Sequence, residues 1–461
     1  MNPQWFDPSD PRPVHFVGIA GAGMSALAEL FRRRGVAVTG CDAAAGGADD
    51  VRRLGIAVAD GHDPAHVDGV RALVVTSAMP QDHPELARAR SLGIPVVRRA
   101  EALGSAVGGG TLVAVAGTHG KTTTTVMTTE ALASAALEPT GLAGGRVGAW
   151  QGNLRTGGNR LFVVEADEYD RSFLALSPTV AVVTNVEADH LDVYRDLADI
   201  RGAFEQFLAP ARTVILCADD PGASSLHVGP ASEIVRYGLG SPDARLVGAA
   251  VMSVDGLLRF VVRFDGEELG DVTLRVPGIH NVRNALAATA AGLALGATFE
   301  QLRPGLEAFE GVERRFQRLG AVRGVDVVDD YAHHPTEILA TLDAARAAFP
   351  GRRLLAAFQP HLYSRTRDFA SEFGAALARA DAVFLTEIYP AREQPIEGVT
   401  SGLIATALAN GGRPPVWRGP REELASALAS SVREGDVVLT LGAGDITRAG
   451  PELLQRLAAG T

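Results

Sequence analysis

The run Val115-Ala116-Gly117-Thr118-His119-Gly120-Lys121-Thr122-Thr123 has the residue types of a phosphate-binding loop, and Lys121 is the only lysine in the chain. Every other member of the Lys plus Arg set is arginine, whose planar fork cannot imitate a compact ammonium among phosphate oxygens. Glycines let backbone N–H groups close around a phosphate, and the helix that follows contributes a positive N-terminus. Lys121 can reach the terminal phosphates and Thr122 can ligate Mg2+. Gly117, Thr118, His119, Gly120, Lys121, Thr122 and Thr123 are therefore expected to bind a nucleoside triphosphate. The general motif has glycine where this chain has Val115, so the loop is a shorter variant.

Metal chemistry is expected close by. Glu165 directly follows the apolar run Leu161-Phe162-Val163-Val164, where a carboxylate facing Mg2+ commonly sits; a helix-capping acid is the plain alternative. His190 ends the polar cluster after Val180-Ala181-Val182-Val183. Mg2+ prefers oxygen, so a histidine hydrogen-bonded at a strand exit stays open beside a ligand role. The candidate metal set is Thr122, Glu165 and His190.

Three further constellations can bind. Gly21-Ala22-Gly23-Met24-Ser25-Ala26 fits a dinucleotide-type turn with Asp42 about 20 residues on, where a ribose-binding acid belongs. This places a diphosphate at a helix N-terminus without separating NAD from a UDP-sugar; Ser77 lies at the exit of another strand. Tyr331-Ala332-His333-His334 and His361-Leu362-Tyr363-Ser364-Arg365 suit a small zwitterion, with Arg365 for a carboxylate and a His or Tyr near an amine. A zinc pair there lacks a third ligand at metal spacing. His280 and Asn284 open a helix, where Asn284 could read an adenine edge; a capped helix start is the plain alternative.

Strands alternating with helices must position these groups. Val14–Ile19, Val36–Thr39 and Ala72–Thr76 read as strands of a first parallel sheet, with Gly108-Gly109-Gly110 as a linker. Thr111–Val115, Leu161–Val164 and Val180–Val183 build a second sheet, loosening into an antiparallel stretch from Leu246 to Val276. Val325–Val328, Leu354–Phe358, Ala382–Leu385 and Asp436–Thr440 build a third. The expected class is α/β in three domains: an N-terminal Rossmann-like parallel sheet (1–106), a central P-loop ATP-binding α/β domain (107–317) and a C-terminal Rossmann-like α/β domain (318–461).

Composition narrows the partners. At 461 residues, 46% hydrophobic and 21% charged, the chain reads as a globular protein of several domains. A formal charge of -11 argues against nucleic acid as main partner. Cys41 and Cys217 are too few and too far apart in sequence to suggest a disulfide scaffold or a zinc site. The polar, proline-rich start and the lack of a run of about 18 apolar residues point away from a membrane and towards the cytoplasm.

Taken in order, His15–Ser25, Gly117–Thr123, Glu165-Ala166-Asp167-Glu168, Glu187-Ala188-Asp189-His190, His280–Asn284, Arg314-Arg315-Phe316 and Asp330–Glu337 resemble the Mur ligase family along nearly the whole chain. The resemblance implies an ATP-dependent acid–amino-acid ligase of peptidoglycan precursor synthesis, hence of cell wall biogenesis, cell shape and cell division. Its implied reaction joins L-alanine to the lactyl carboxylate of UDP-N-acetylmuramate through an acyl phosphate, with Mg2+ and as a monomer or homodimer. By carry-over, Gly21, Gly23, Met24, Ser25, Asp42 and Ser77 would hold the UDP-sugar, and His280, Asn284, Arg315 and Asp330 the nucleotide. Tyr331, His333 and Arg365 would hold the amino acid; Lys121, Glu165, His190, Arg315 and Asp330 would be the catalytic set. Closure by hinge motion near Arg318 is implied. The chain departs from the family at Leu362, where arginine is usual, at Cys41, where serine is common, and in having no second lysine to be carbamylated as a metal bridge. A sister ligase acting on a recycled tripeptide and a nicotinamide-dependent oxidoreductase are the other readings.

Overall fold

The computed structural model describes residues 6–77, 79–191, 193–254, 257–391 and 393–460. Its sheets grow from short apolar runs such as Val14–Val17, Val180–Val183 and Val437–Leu441, every residue of which is buried. Strands apolar on both faces must be covered by helices on both sides, which is the signature of parallel α/β layers.

The first sheet runs Ala57–Asp60, Val38–Asp42, Val14–Val17, Ala72–Val75, Val96–Arg98, parallel throughout. The second has ten strands. At its centre Thr111–Ala116 lies between Val180–Val183 and Leu161–Glu165. One flank continues through Thr213–Cys217 and Glu233–Gly238 to Leu246–Val254, Leu257–Phe264 and Glu267–Leu274. The other ends in Thr140–Val147 and Gly152–Arg155, an antiparallel pair that the apolar periodicity does not announce because Gly141, Gly144 and Gly145 interrupt it. The third sheet runs Gln317–Val322, Val325–Asp330, Val437–Leu441, Leu354–Phe358, Ala382–Thr386, Trp417–Gly419; its first pair is antiparallel and the rest parallel. Three α/β domains with a parallel N-terminal sheet and mixed central and C-terminal sheets match the expected class.

The chain divides into two compact units. One comprises Met1–Val251, Phe260–Thr273 and Arg283–Phe309, and so carries the first sheet with most of the second; the other comprises Met252–Arg259, Leu274–Val282 and Glu310–Thr461. In the latter, Ile338, Leu342, Phe373, Leu377 and Ile404 cover one face of the third sheet, and Leu424, Leu428, Leu453 and Leu457 cover the other. No helix among the described residues is long and apolar enough to cross a membrane.

The helix Lys121–Ser134 carries the phosphate loop and is buried almost continuously from Thr122 to Thr129. Its interior hydroxyls stay satisfied by bonding back one turn: Thr128 Oγ1 donates to Thr124 O and Thr129 Oγ1 to Thr125 O, both at 2.7 Å. The neighbouring helix Phe299–Glu307 approaches so closely that a Cβ on Gly305 would lie 2.2 Å from Glu130 O. Backbone cannot retreat as a side-chain tip can, so Gly305→Ala is expected to destabilise the fold by about 1–3 kcal/mol, read as a lower urea midpoint. An unchanged midpoint would show that this helix contact does not hold the loop's helix in place.

Candidate active site

The strand Thr111–Ala116 passes through Gly117, Thr118, His119 and Gly120 into the helix Lys121–Ser134 at the centre of its sheet. The crevice at the carboxyl ends of parallel strands is the natural ligand site. Gly117 has φ +132° and Gly120 φ +80°, both in the region that favours glycine. A Cβ on Gly117 would lie 2.1 Å from Thr184 Oγ1, so space as well as conformation demands glycine there.

The segment after Val180–Val183 clamps this loop. Asn185 Oδ1 accepts from His119 N at 2.8 Å while Asn185 Nδ2 donates to His119 O at 3.0 Å. Thr184 Oγ1 donates to the same carbonyl at 2.6 Å, and Glu187 N donates to Thr118 Oγ1 at 2.9 Å. The loop is therefore shaped before any phosphate arrives.

Lys121 Nζ donates to Gly117 O at 2.8 Å and Thr118 O at 3.3 Å, and lies 2.8 Å from Glu168 Oε2. Burial works against this ammonium, but the carboxylates of Glu168, Asp167 and Glu165 outweigh it and raise its pKa above the usual lysine value. Burial also lifts Glu168, to about 7, against the pull of Lys121 and with added repulsion from Asp167. Glu168 was not singled out as a site residue in the sequence, although it sits in the acidic run that Glu165 opens.

The expected metal residues fall into two adjoining sets. Thr122 Oγ1 donates to Glu165 Oε1 at 3.1 Å, and Glu165 Oε2 accepts from Gly144 N at 2.5 Å. His190 gathers instead with Asp167 and Glu168, its Nε2 3.8 Å from Glu168 Oε1. Carboxylate and hydroxyl oxygens dominate both sets, a composition that suits Mg2+. Asn284 is buried behind the loop, accepting from Thr124 Oγ1 at 3.1 Å, and limits the space at Gly120 to 2.9 Å. His280 lies one turn earlier on the helix Ile279–Ala294, beside Gly278.

In the first sheet, Gly21 caps the helix Ala22–Arg33, Met24 is buried, and Ser25 Oγ donates to Ala22 O at 3.0 Å. Asp42 accepts from Ala20 N at 3.0 Å and Ala44 N at 2.9 Å, so it shapes the turn that leads to the helix. Ser77 is exposed beyond the strand Ala72–Val75. Arg99, absent from the expected set, brings a guanidinium nitrogen to 2.9 Å from where a Cβ on Gly23 would be. A cation over the helix's first turn is what a diphosphate would meet, and the Arg98-Arg99 pair at the strand Val96–Arg98 was the available signal.

In the other unit, Tyr331, His333, His361 and Arg365 form a chain of contacts. Tyr331 and His333 rings lie 5.2 Å apart, His333 and His361 5.8 Å, and Arg365 Nη1 approaches His361 Nδ1 at 3.5 Å. Arg365 is buried, and Arg315 lies over the Tyr331 ring with Nη1 3.4 Å from Glu337 Oε1. Leu362 has φ +72° and ψ 139°, a strained conformation for a branched side chain, held by donation from its N–H to Tyr389 O at 3.0 Å.

Asp330 is buried and accepts from Phe316 N at 2.7 Å and Ala332 N at 2.8 Å. Burial raises its pKa from 3.8 to about 6, despite Arg315 and those two N–H donors.

The chain matches three successive family descriptions: "Mur ligase family, catalytic domain" over residues 13–109, "Mur ligase middle domain" over 115–292 and "Mur ligase, glutamate ligase domain" over 314–444. It is 46% identical to the UDP-N-acetylmuramate–L-alanine ligase of Salinibacter ruber over 97% of this chain and 95% of the relative. Against the enzyme of that name from Acidothermus cellulolyticus it is 47% identical, over 96% and 94%. The solved structure of a UDP-N-acetylmuramate–alanine ligase from Thermotoga maritima superposes with TM-score 0.84 at 31% identity, covering 97% of this chain and 100% of that one. A murein peptide ligase from Psychrobacter arcticus gives TM-score 0.72 at 25% identity, covering 97% and 98%.

A group whose pKa rises on folding contributes its stability fully below the unfolded value and loses it as pH climbs through the folded value. The stability of the wild type relative to Asp330→Asn should therefore fall between about pH 4 and about pH 6 and level off above that, measured as the difference in urea midpoint. A difference that stays constant would show that Asp330 does not titrate in this window.

Proposed function

The chain belongs to the Mur ligase family, and we propose that its three domains carry out one condensation, joining L-alanine to UDP-N-acetylmuramate with ATP as the phosphoryl donor. It is a UDP-N-acetylmuramate–L-alanine ligase of peptidoglycan precursor synthesis. The observation that carries this is near-full-length identity of 46–47% to enzymes of that name, joined to a lysine and a threonine fixed at the head of the loop helix. The murein peptide ligase reading shares the fold at lower identity, and a nicotinamide enzyme would leave the Lys121 loop without a purpose. A cytoplasmic location follows from the nucleotide substrates.

The lactyl carboxylate of UDP-N-acetylmuramate attacks the γ-phosphorus, giving an acyl phosphate and ADP. The amine of L-alanine then adds to the activated carbonyl, and the tetrahedral intermediate expels phosphate as the amide forms. Charge spreading over the transferring phosphoryl oxygens is the main barrier a protein can lower. Lys121 supplies a fixed positive charge there, and Glu168, which holds the ammonium in the loop, is the group it exchanges for phosphate. The backbone N–H groups of Gly120 and Lys121 add the helix's positive end.

Mg2+ suits the oxygen donors of both carboxylate sets: Thr122 with Glu165, and Asp167, Glu168 with His190. When bound, it would neutralise triphosphate charge. The second set offers two carboxylates in a chain that has no second lysine to be carbamylated as the metal bridge the family resemblance implies.

L-Alanine must shed a proton before its amine can attack. His333 Nδ1 lies 3.0 Å from Tyr331 O, which fixes its proton there in the neutral ring and leaves the Nε2 lone pair to accept one. Arg365 would receive the amino-acid carboxylate, with more of that role falling to it because Leu362 offers no charge. Asn284 and His280 would meet the adenine, and Gly21, Gly23 and Arg99 the uridine diphosphate.

Phosphate release should require ATP, UDP-N-acetylmuramate and L-alanine together; release with a tripeptide but not with L-alanine would refute the assignment. Lys121→Arg should cut turnover at least about 10²-fold in a protein that still folds, read by circular dichroism, since arginine keeps the charge and loses the fit. Near-normal turnover in that variant would remove Lys121 from the mechanism.

A further inference from the structure

Behind the first-sheet loop lies a cluster that the ligase reaction does not use. Strand pairing sets Val17 beside Cys41 and His15 beside Thr39, so His15 and Cys41 project from neighbouring parallel strands onto one face. His62 and His66 come from the segment after Ala57–Asp60, and Glu85 from the first turn of the helix Pro84–Leu92. Cys41 Sγ lies 3.4 Å from His15 Nε2, 3.3 Å from His62 Nδ1 and 3.2 Å from Glu85 Oε1. His66 Nδ1 is 2.8 Å from Glu85 Oε1. One ligand atom from each of His15, Cys41, His66 and Glu85 lies within 4.8 Å of the others.

We propose that His15, Cys41, His66 and Glu85 form a zinc-class metal site that braces the UDP-sugar loop, with His62 in reserve at its edge.

Zinc bonds of about 2.3 Å to sulfur and about 2.0–2.1 Å to nitrogen or oxygen make tetrahedral edges of about 3.3–3.6 Å. Cys41 Sγ already stands close to that range from His15 Nε2 and Glu85 Oε1, and the four ligand atoms all lie within 4.8 Å of one another, so side-chain adjustments of about an ångström would close them around an ion. The donor set excludes Mg2+ and Ca2+, which require oxygen, and fits a borderline-soft cation.

Charge points the same way. The Glu85 side chain is fully buried, and its carboxylate meets the Cys41 thiol, Asp63 N, His66 and His62 with neither lysine nor arginine among these partners. A buried carboxylate needs a compensating positive charge. His15 Nδ1 lies 2.9 Å from Thr39 Oγ1, which can accept the ring proton there in the tautomer that turns the Nε2 lone pair towards sulfur. Beside the cluster, the His83 ring packs edge-on against His62 at 4.6 Å, and its Nδ1 is buried with no hydrogen-bond partner.

Binding exchanges one proton for the metal: Cys41 loses its S–H proton to solvent as the metal–sulfur bond forms, while both imidazoles stay neutral. The site backs directly onto the loop, because Cys41 O accepts from Gly18 N at 2.8 Å and Ile19 N at 3.1 Å.

The test uses the full chain, stripped with a chelator and titrated with Co2+, whose spectrum reports sulfur ligation. One equivalent should produce a thiolate-to-cobalt charge-transfer absorption that Zn2+ abolishes by displacement. Cys41→Ser should lose that absorption and Cys217→Ser should keep it. His66→Gln should keep the sulfur band but weaken Co2+ binding about tenfold or more, at least as much as losses beyond the ligand sphere cause. Mg2+ sites in the ATP pocket contain no sulfur and cannot give this signal. No sulfur band in the wild type, or the same band in Cys41→Ser, overturns the site; if Cys41→Ser does not fold, unchanged Co2+ affinity in His66→Gln overturns it.

Discussion

A buried ammonium held by carbonyls and carboxylates is the constraint around which the catalytic unit is arranged. Lys121 can sit in the dark of the protein because Gly117 and Thr118 turn their carbonyls inward and Glu168 supplies the counter-charge. Each requirement propagates. Gly117 must be glycine because Thr184 occupies the space beside it, Thr184 and Asn185 must leave the next strand in a fixed direction, and the helix Lys121–Ser134 must be locked from behind by Phe299–Glu307. A site that acts by electrostatics in a dry crevice gains from being shaped beforehand, since no reorganisation is then needed during the reaction.

Burial tunes one carboxylate in each of the two units. Glu168 and Asp330 are both raised by burial, each against a neighbouring cation. Asp330 spends both oxygens on the N–H groups of Phe316 and Ala332, so it organises the turn around Arg315 and Tyr331. Glu168 instead faces the Lys121 ammonium, whose charge a phosphate can compete for.

Much of the catalytic machinery was legible because it is contiguous in sequence. Glycine, lysine and threonine in immediate succession between an apolar strand and a helix have few other uses, and Glu165 declares itself by ending a strand. Glu168 and Arg99 were harder for a physical reason: their roles come from burial and from approach across space. The pairing Thr140–Arg155 escaped because glycines erase the alternation that marks a strand.

The order of strand-ending polar residues indicated, from sequence alone, three α/β domains and a loop that handles phosphate, for those features depend on local propensity and short spacings, while the ligase reading came from the resemblance of the ordered motifs to the Mur ligase family. Which carboxylate Lys121 rests on, that His190 gathers with Asp167 and Glu168, and that Thr122 bonds Glu165 were decided by tertiary structure. So was the meeting of Cys41 with His15, His66 and Glu85, in a chain whose two cysteines suggest no metal when read in line. Strand pairing and crossover connections bring such residues within a few ångströms of one another, and no linear spacing records that distance.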